Sequence, residues 1–139
     1  MITQPEFEEI LSQLPPEAGR PAVLPKPRRG INKTNFTIGL YRALRVEYLD
    51  PRTFGTMVAV ARDQAGARGH STIPALVQYL GITFQAVSQQ INGNPLLFSL
   101  TKNPGRPAAV LHQIRLTQEG VDMLVRINRR TARYAKELS

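Results

Sequence analysis

The sequence predicts a mainly α fold with one small β-hairpin (α+β), ordered as a winged helix-turn-helix, and three observations carry that expectation. Two short amphipathic helical segments meet at a Gly81-Ile82 turn, two alternating apolar stretches follow, and a further helical pattern begins at Thr117. This order of helix, tight glycine turn, helix, hairpin and helix runs without interruption over residues 71–139.

The elements follow from local chemistry. In residues 5–14, Phe7, Ile10, Leu11 and Leu14 fall on one face of a short acidic helix, so residues 1–14 form an N-terminal helical segment. Residues 15–33 hold five prolines with Arg20, Lys26, Arg28, Arg29 and Lys33, a composition that resists regular structure and reads as a basic arm or linker. Residues 34–139 then make up the winged-helix domain with its C-terminal helix. A helix is expected over 34–49, where Ile38, Tyr41, Leu44, Arg45 and Tyr48 keep helical spacing and Leu40 and Leu49 widen the apolar stripe. Asp50-Pro51 ends it and opens the next, since Asp caps well and Pro is pre-organised for the first helical position. That next helix places Phe54, Met57, Val58, Ala61 and Ala65 on one face before Gly66 and Gly69.

Residues 71–96 contain no charged side chain. Ile73, Leu76, Val77 and Leu80 keep helical spacing, with Ser71 or Thr72 as cap and Pro74 in the tolerant first turn. Thr83 caps a second helix whose buried positions are expected at Phe84, Val87 and Ile91, ending near Gly93. Leu96, Phe98 and Leu100, then Val110, His112, Ile114 and Leu116, alternate as two strands joined through residues 102–109. The final helix carries Val121, Leu124, Val125, Ala132, Ala135 and Leu138 with a basic series, Arg126, Arg129, Arg130, Arg133 and Lys136.

The charge balance narrows the partner. Eighteen Lys and Arg against ten Asp and Glu give the 139-residue chain a formal charge of +8, which draws it to a polyanion. In a helix-turn-helix the second helix reads the major groove, where each base pair presents a distinct donor and acceptor pattern. With Phe84, Val87 and Ile91 inward, Gln85, Ser88, Gln89 and Asn92 point outward as the reading face, and the cap Thr83 joins them as a candidate major-groove contact. Gln and Asn bond bidentately to adenine, and this helix has no Arg for guanine, so A·T-rich half-sites are expected. In the wing, Lys102, Asn103, Gly105 and Arg106 lie at the tip, and Pro104-Gly105-Arg106-Pro107 suits a narrow minor groove. Lys26, Arg28, Arg29, Lys33, Ser71, Thr72 and Arg115 are the candidate phosphate contacts.

The string Leu80-Gly81-Ile82-Thr83 with Val87-Ser88, and Arg115-Leu116-Thr117 followed by Gly120, resembles the winged-helix core of MarR-type transcriptional regulators over roughly residues 71–139. The resemblance implies a homodimer on palindromic DNA near promoters, paired through terminal helices. Three features depart from the family pattern: Val77 stands where Ala is common, Gln90 where an apolar residue is usual, and Pro104 to Pro107 replace the wing's Asp-x-Arg.

The function expected is therefore sequence-specific binding of double-stranded DNA by a homodimeric transcriptional regulator, a repressor. Two alternatives remain: a plasmid-partition, replication-initiation or architectural DNA-binding protein, or a winged-helix module that meets a partner protein. Only His70 and His112 are of a residue type that could serve as a neutral-pH base, and no nucleophile motif, phosphate loop or Cys/His spacing accompanies them, so no catalytic residue, metal ligand or cofactor is assigned. His112 is expected to pack on the apolar face of its strand. The absence of cysteine and of a membrane-length apolar run, with Glu6, Glu8 and Glu9 where a signal peptide carries positive charge, points to a bacterial-type cytoplasm or nucleoid.

Overall fold

A computed structural model describes residues 2–14, 32–101 and 112–138. The elements are α1 (Gln4–Gln13), α2 (Lys33–Val46), α3 (Pro51–Ala65), α4 (Ile73–Leu80), α5 (Phe84–Gly93), β1 (Phe98–Thr101), β2 (Gln113–Leu116) and α6 (Gln118–Glu137). The chain forms two compact units, Met1–Phe54 with Asp122–Ser139, and Gly55–Val121, so that α3 and α6 each contribute to both.

In the first unit, the Thr3 hydroxyl accepts from Glu6 N–H to cap α1, and Pro5 stands in the first turn, where its missing N–H costs nothing. Phe7, Ile10, Leu11 and Leu14 are all buried, and the Phe7 ring meets Phe54 edge to face at 5.5 Å. Asn32 caps α2 by accepting from Asn35 N–H at 2.8 Å. The buried face of α2 is Phe36, Gly39, Leu40, Ala43 and Leu44. This corrects the stripe expected from spacing: Ile38, Tyr41 and Tyr48 are 47 %, 49 % and 96 % exposed. The cause is a close helix crossing, because a Cβ on Gly39 would stand 2.8 Å from Thr131 O and 3.1 Å from Ala135 N of α6. Only the face with the smallest residues lets the two backbones approach so closely. On α6 the inward residues of this unit include Leu124, Ile127, Ala132, Tyr134 and Ala135.

In the second unit, α3 is buried around most of its circumference: Thr56, Met57, Val58, Ala59, Val60 and Ala61 are all below one-tenth exposure. Thr72 caps α4, its hydroxyl accepting from Ala75 N–H, and Gly81 ends it in the left-handed region at φ 64°, returning its N–H to Val77 O. Ile73 and Leu76 are buried, while Val77 and Leu80 are half-buried. Thr83 then caps α5 by accepting from Ala86 N–H at 3.1 Å. The hairpin is antiparallel, with Phe98 opposite Leu116 and Leu100 opposite Ile114. Ser71 extends it by exchanging both backbone bonds with Ile114. Phe98, Ile114 and Leu116 face the core, whereas Leu96, expected in the strand pattern, is 77 % exposed and precedes it. His112 is half-buried.

The junction into α6 gives the Arg-Leu-Thr-x-x-Gly string a physical reason. Thr117 N–H donates to Leu97 O, its hydroxyl donates to Leu96 O, and the same oxygen accepts from Gly120 N–H to cap the helix. A Cβ at position 120 would lie 2.5 Å from Leu97 O, so this first turn accepts only glycine without displacement. Among the described residues no helix is long and apolar enough to cross a membrane.

Candidate nucleic-acid interface

The site is built on α5. Val87 and Ile91 are buried and fix the rotation of the helix, and Gln90 is held at its flank because the Thr56 hydroxyl donates to Gln90 Oε1. Thr56 is fully buried, and Gln90 gives its hydroxyl an acceptor that an apolar side chain at that position would not. With these contacts made on one side, Thr83, Gln85, Gln89 and Asn92 are exposed and Ser88 is half-buried. Asn92 Nδ2 donates to Ser88 Oγ at 3.2 Å, which orients both polar groups on the same face. Four of the reading residues proposed from the sequence, Gln85, Ser88, Gln89 and Asn92, therefore share one side of α5, while Thr83 is its N-cap and stands at its start. That side carries amides and hydroxyls and no charge.

Phe84 corrects the expected inward set. It is 44 % exposed at the first position of α5, where the helix has just left the Gly81-Ile82 turn. Sequence spacing alone put it on the buried face, since it is one turn from Val87 and two from Ile91. An exposed Phe beside amides adds an apolar group of the kind that meets a thymine methyl.

Ser71 is also corrected. It is fully buried, its backbone is paired with Ile114, and its hydroxyl donates to Asp63 Oδ2 at 2.6 Å, so it is a structural residue with no surface to offer a phosphate. Thr72 is half-buried and caps α4. Arg115 donates from Nε to Gly69 O at 3.0 Å, which ties β2 to the loop before α4 while leaving the residue half-buried. Lys33, exposed at the start of α2, belongs to the other unit. Lys102, Asn103, Gly105 and Arg106 of the wing, and Lys26, Arg28 and Arg29 of the arm, lie outside the described residues.

No protein-family model and no curated protein matches the chain. Among solved structures it is similar to the crystal structure of RV1404 from Mycobacterium tuberculosis, at 16 % identity and a TM-score of 0.59, over 73 % of this chain and 67 % of that one. The likeness is one of fold, and with the hairpin and the helix pair before it, it shows a winged-helix architecture.

Proposed function

We propose that the chain is a sequence-specific double-stranded DNA-binding protein, a transcriptional regulator that represses from A·T-rich palindromic sites as a homodimer. The observation that carries this reading is the uncharged face of α5 formed by Gln85, Ser88, Gln89 and Asn92, with Phe84 exposed and the cap Thr83 at the start of the same helix. Amides offer the paired donor and acceptor that adenine presents in the major groove. Affinity comes from elsewhere, from the arm residues Lys26, Arg28, Arg29 and Lys33, from Arg115, and from a wing in which Arg106 enters a narrow minor groove. Thr72, as the cap of α4, contributes its hydroxyl to the same backbone track. The resemblance of the helix-turn-helix string to MarR-type regulators and the fold shared with RV1404 support the winged-helix part of this reading.

Pairing is assigned to α2 and α6. Ile38 and Tyr41 leave α2 with a second apolar stripe after its first is buried, Tyr48 stands exposed just beyond its end, and a two-fold dimer would cover them.

The test is selection of bound sequences from random duplex DNA followed by footprinting. The expected product is a short A·T-rich palindrome, with Gln89→Ala relaxing base preference at one position by about 1–3 kcal/mol and Arg106→Ala weakening binding to A·T-rich flanks. Long tandem footprints would move the assignment to partition or architecture. No salt-sensitive binding to any duplex at low ionic strength would transfer α5 to a protein partner.

A further inference from the structure

The exposed side of α6 in the first unit carries a surface hollow of about 500 Å³ lined by Arg126, Arg129, Arg130, Arg133 and Lys136. Every lining residue is cationic. A stripe of like charges at helical neighbour positions repels itself, and its persistence in one hollow calls for groups that order it. Two such groups are present. Glu47, only 12 % exposed, accepts on a single oxygen from Arg126 Nε at 3.1 Å and Arg130 Nε at 3.2 Å, which sets two guanidinium groups side by side one helical turn apart. Tyr134, buried beneath them, carries the Arg133 guanidinium 5.2 Å and the Arg42 guanidinium 4.2 Å from its ring centroid.

We infer that this hollow is a phosphate-binding site, in which Arg126, Arg130 and Arg133 present oriented guanidinium forks to adjacent phosphate groups, Arg129 and Lys136 extend the positive field, and Glu47 and Tyr134 act as positioning residues. Planar guanidinium groups match phosphate oxygens in pairs, and holding them in place before binding removes the cost of ordering long side chains. The phosphates come either from a nucleic-acid backbone or from a free phosphorylated compound. Both share the chemistry that the hollow recognises. The site lies in the first unit and stands whether or not α5 reads DNA.

The experiment is calorimetric titration of the full chain with inorganic tripolyphosphate at 0.15 M salt. Saturable binding at one site is expected. Arg130→Lys keeps the charge and removes the fork, and is expected to weaken binding about tenfold; simple attraction to a basic surface would leave it unchanged. Glu47→Ala raises the net charge by one. An oriented site loses affinity in this variant, whereas a diffuse basic patch gains it. Circular dichroism establishes that each variant is folded, and Arg130→Lys decides the matter if Glu47→Ala is not. Displacement of tripolyphosphate by random-sequence duplex identifies a nucleic-acid backbone as the source, and simultaneous binding of both identifies a free compound. Absence of saturable binding, or unchanged affinity in Arg130→Lys together with tighter binding in Glu47→Ala, overturns the inference.

Discussion

Asn128 sits on α6 at 1 % exposure, with neither its Oδ1 nor its Nδ2 hydrogen-bonded among the described residues. A buried amide without partners forfeits its hydration and receives nothing in return, a penalty of about 1–3 kcal/mol. Asn128→Leu is therefore expected to raise the urea midpoint by an amount equivalent to about 1 kcal/mol, after some loss to the larger side chain; a lowered midpoint would show that the amide is paired in solution. At Tyr134 the hydrogen bond with Arg133, then the bond with Arg130 and the charge of both, hold the phenol below its usual value of 10 against the opposing effect of burial. The same contacts hold Arg130 more firmly cationic, its bond with Tyr134 first and that with Glu47 second. A depressed acid contributes stability that is present above its unfolded value and lost as pH falls through its folded value. Stability should thus gain from Tyr134 only on approach to pH 10 from below, and not at neutrality. Ultraviolet titration of the native protein should show one tyrosine ionising early, and Arg133→Gln should return it toward the others; coincident titration curves for the two proteins would refute the coupling. Gln90, Phe84 and Ser71 belong to this scale too, since each left its expected role through a single contact or its absence.

The elements divide by how locally they are specified. α1, α4 and α5 follow their caps, Thr3, Thr72 and Thr83, and the Gly81 turn, because each cap bonds a backbone N–H only three residues away. α2 is different. It has two apolar stripes, and the spacing of Ile38, Tyr41 and Tyr48 favours the wrong one, because bulk carries more weight in a periodicity than the smallness of Gly39 and Ala43. The exposed stripe has its own consequence: Tyr41→Glu should leave the helix content unchanged, since Tyr41 is about half exposed, and should shift sedimentation from dimer to monomer at micromolar concentration. A wild-type monomer would remove the pairing assigned to α2. The start of α6 is specified by approach rather than by propensity. Gly120→Ala, favoured by about 1 kcal/mol on helix propensity, is expected to cost about 1–3 kcal/mol overall because its Cβ meets Leu97 O. Gly93→Ala at the end of α5 meets nothing within 4 Å and should be neutral or mildly stabilising. Thermal unfolding of the pair separates contact from propensity.

At the scale of the whole molecule, charge and reading surface are divided. The α5 face is neutral, while five cations of α6 gather in the first unit around Glu47. By itself the sequence determined the winged-helix order, the caps, the hairpin and that Gln85, Ser88, Gln89 and Asn92 of α5 leave the core, though not that Phe84 does, because these depend on side-chain periods of two or 3.6 residues and on bonds that close within one turn. It also displayed the basic series of α6, but as a composition. Tertiary structure alone decided which stripe of α2 is buried, that Ser71 is enclosed by Asp63 and Ile114, that Thr56 donates to Gln90, and that Glu47 and Tyr134 meet the arginines. Each of those outcomes rests on contacts between residues far apart in the chain, such as Gly39 with Thr131 or Glu47 with Arg130. Helical and strand periodicity carry no information about which distant backbone will pass within 3 Å.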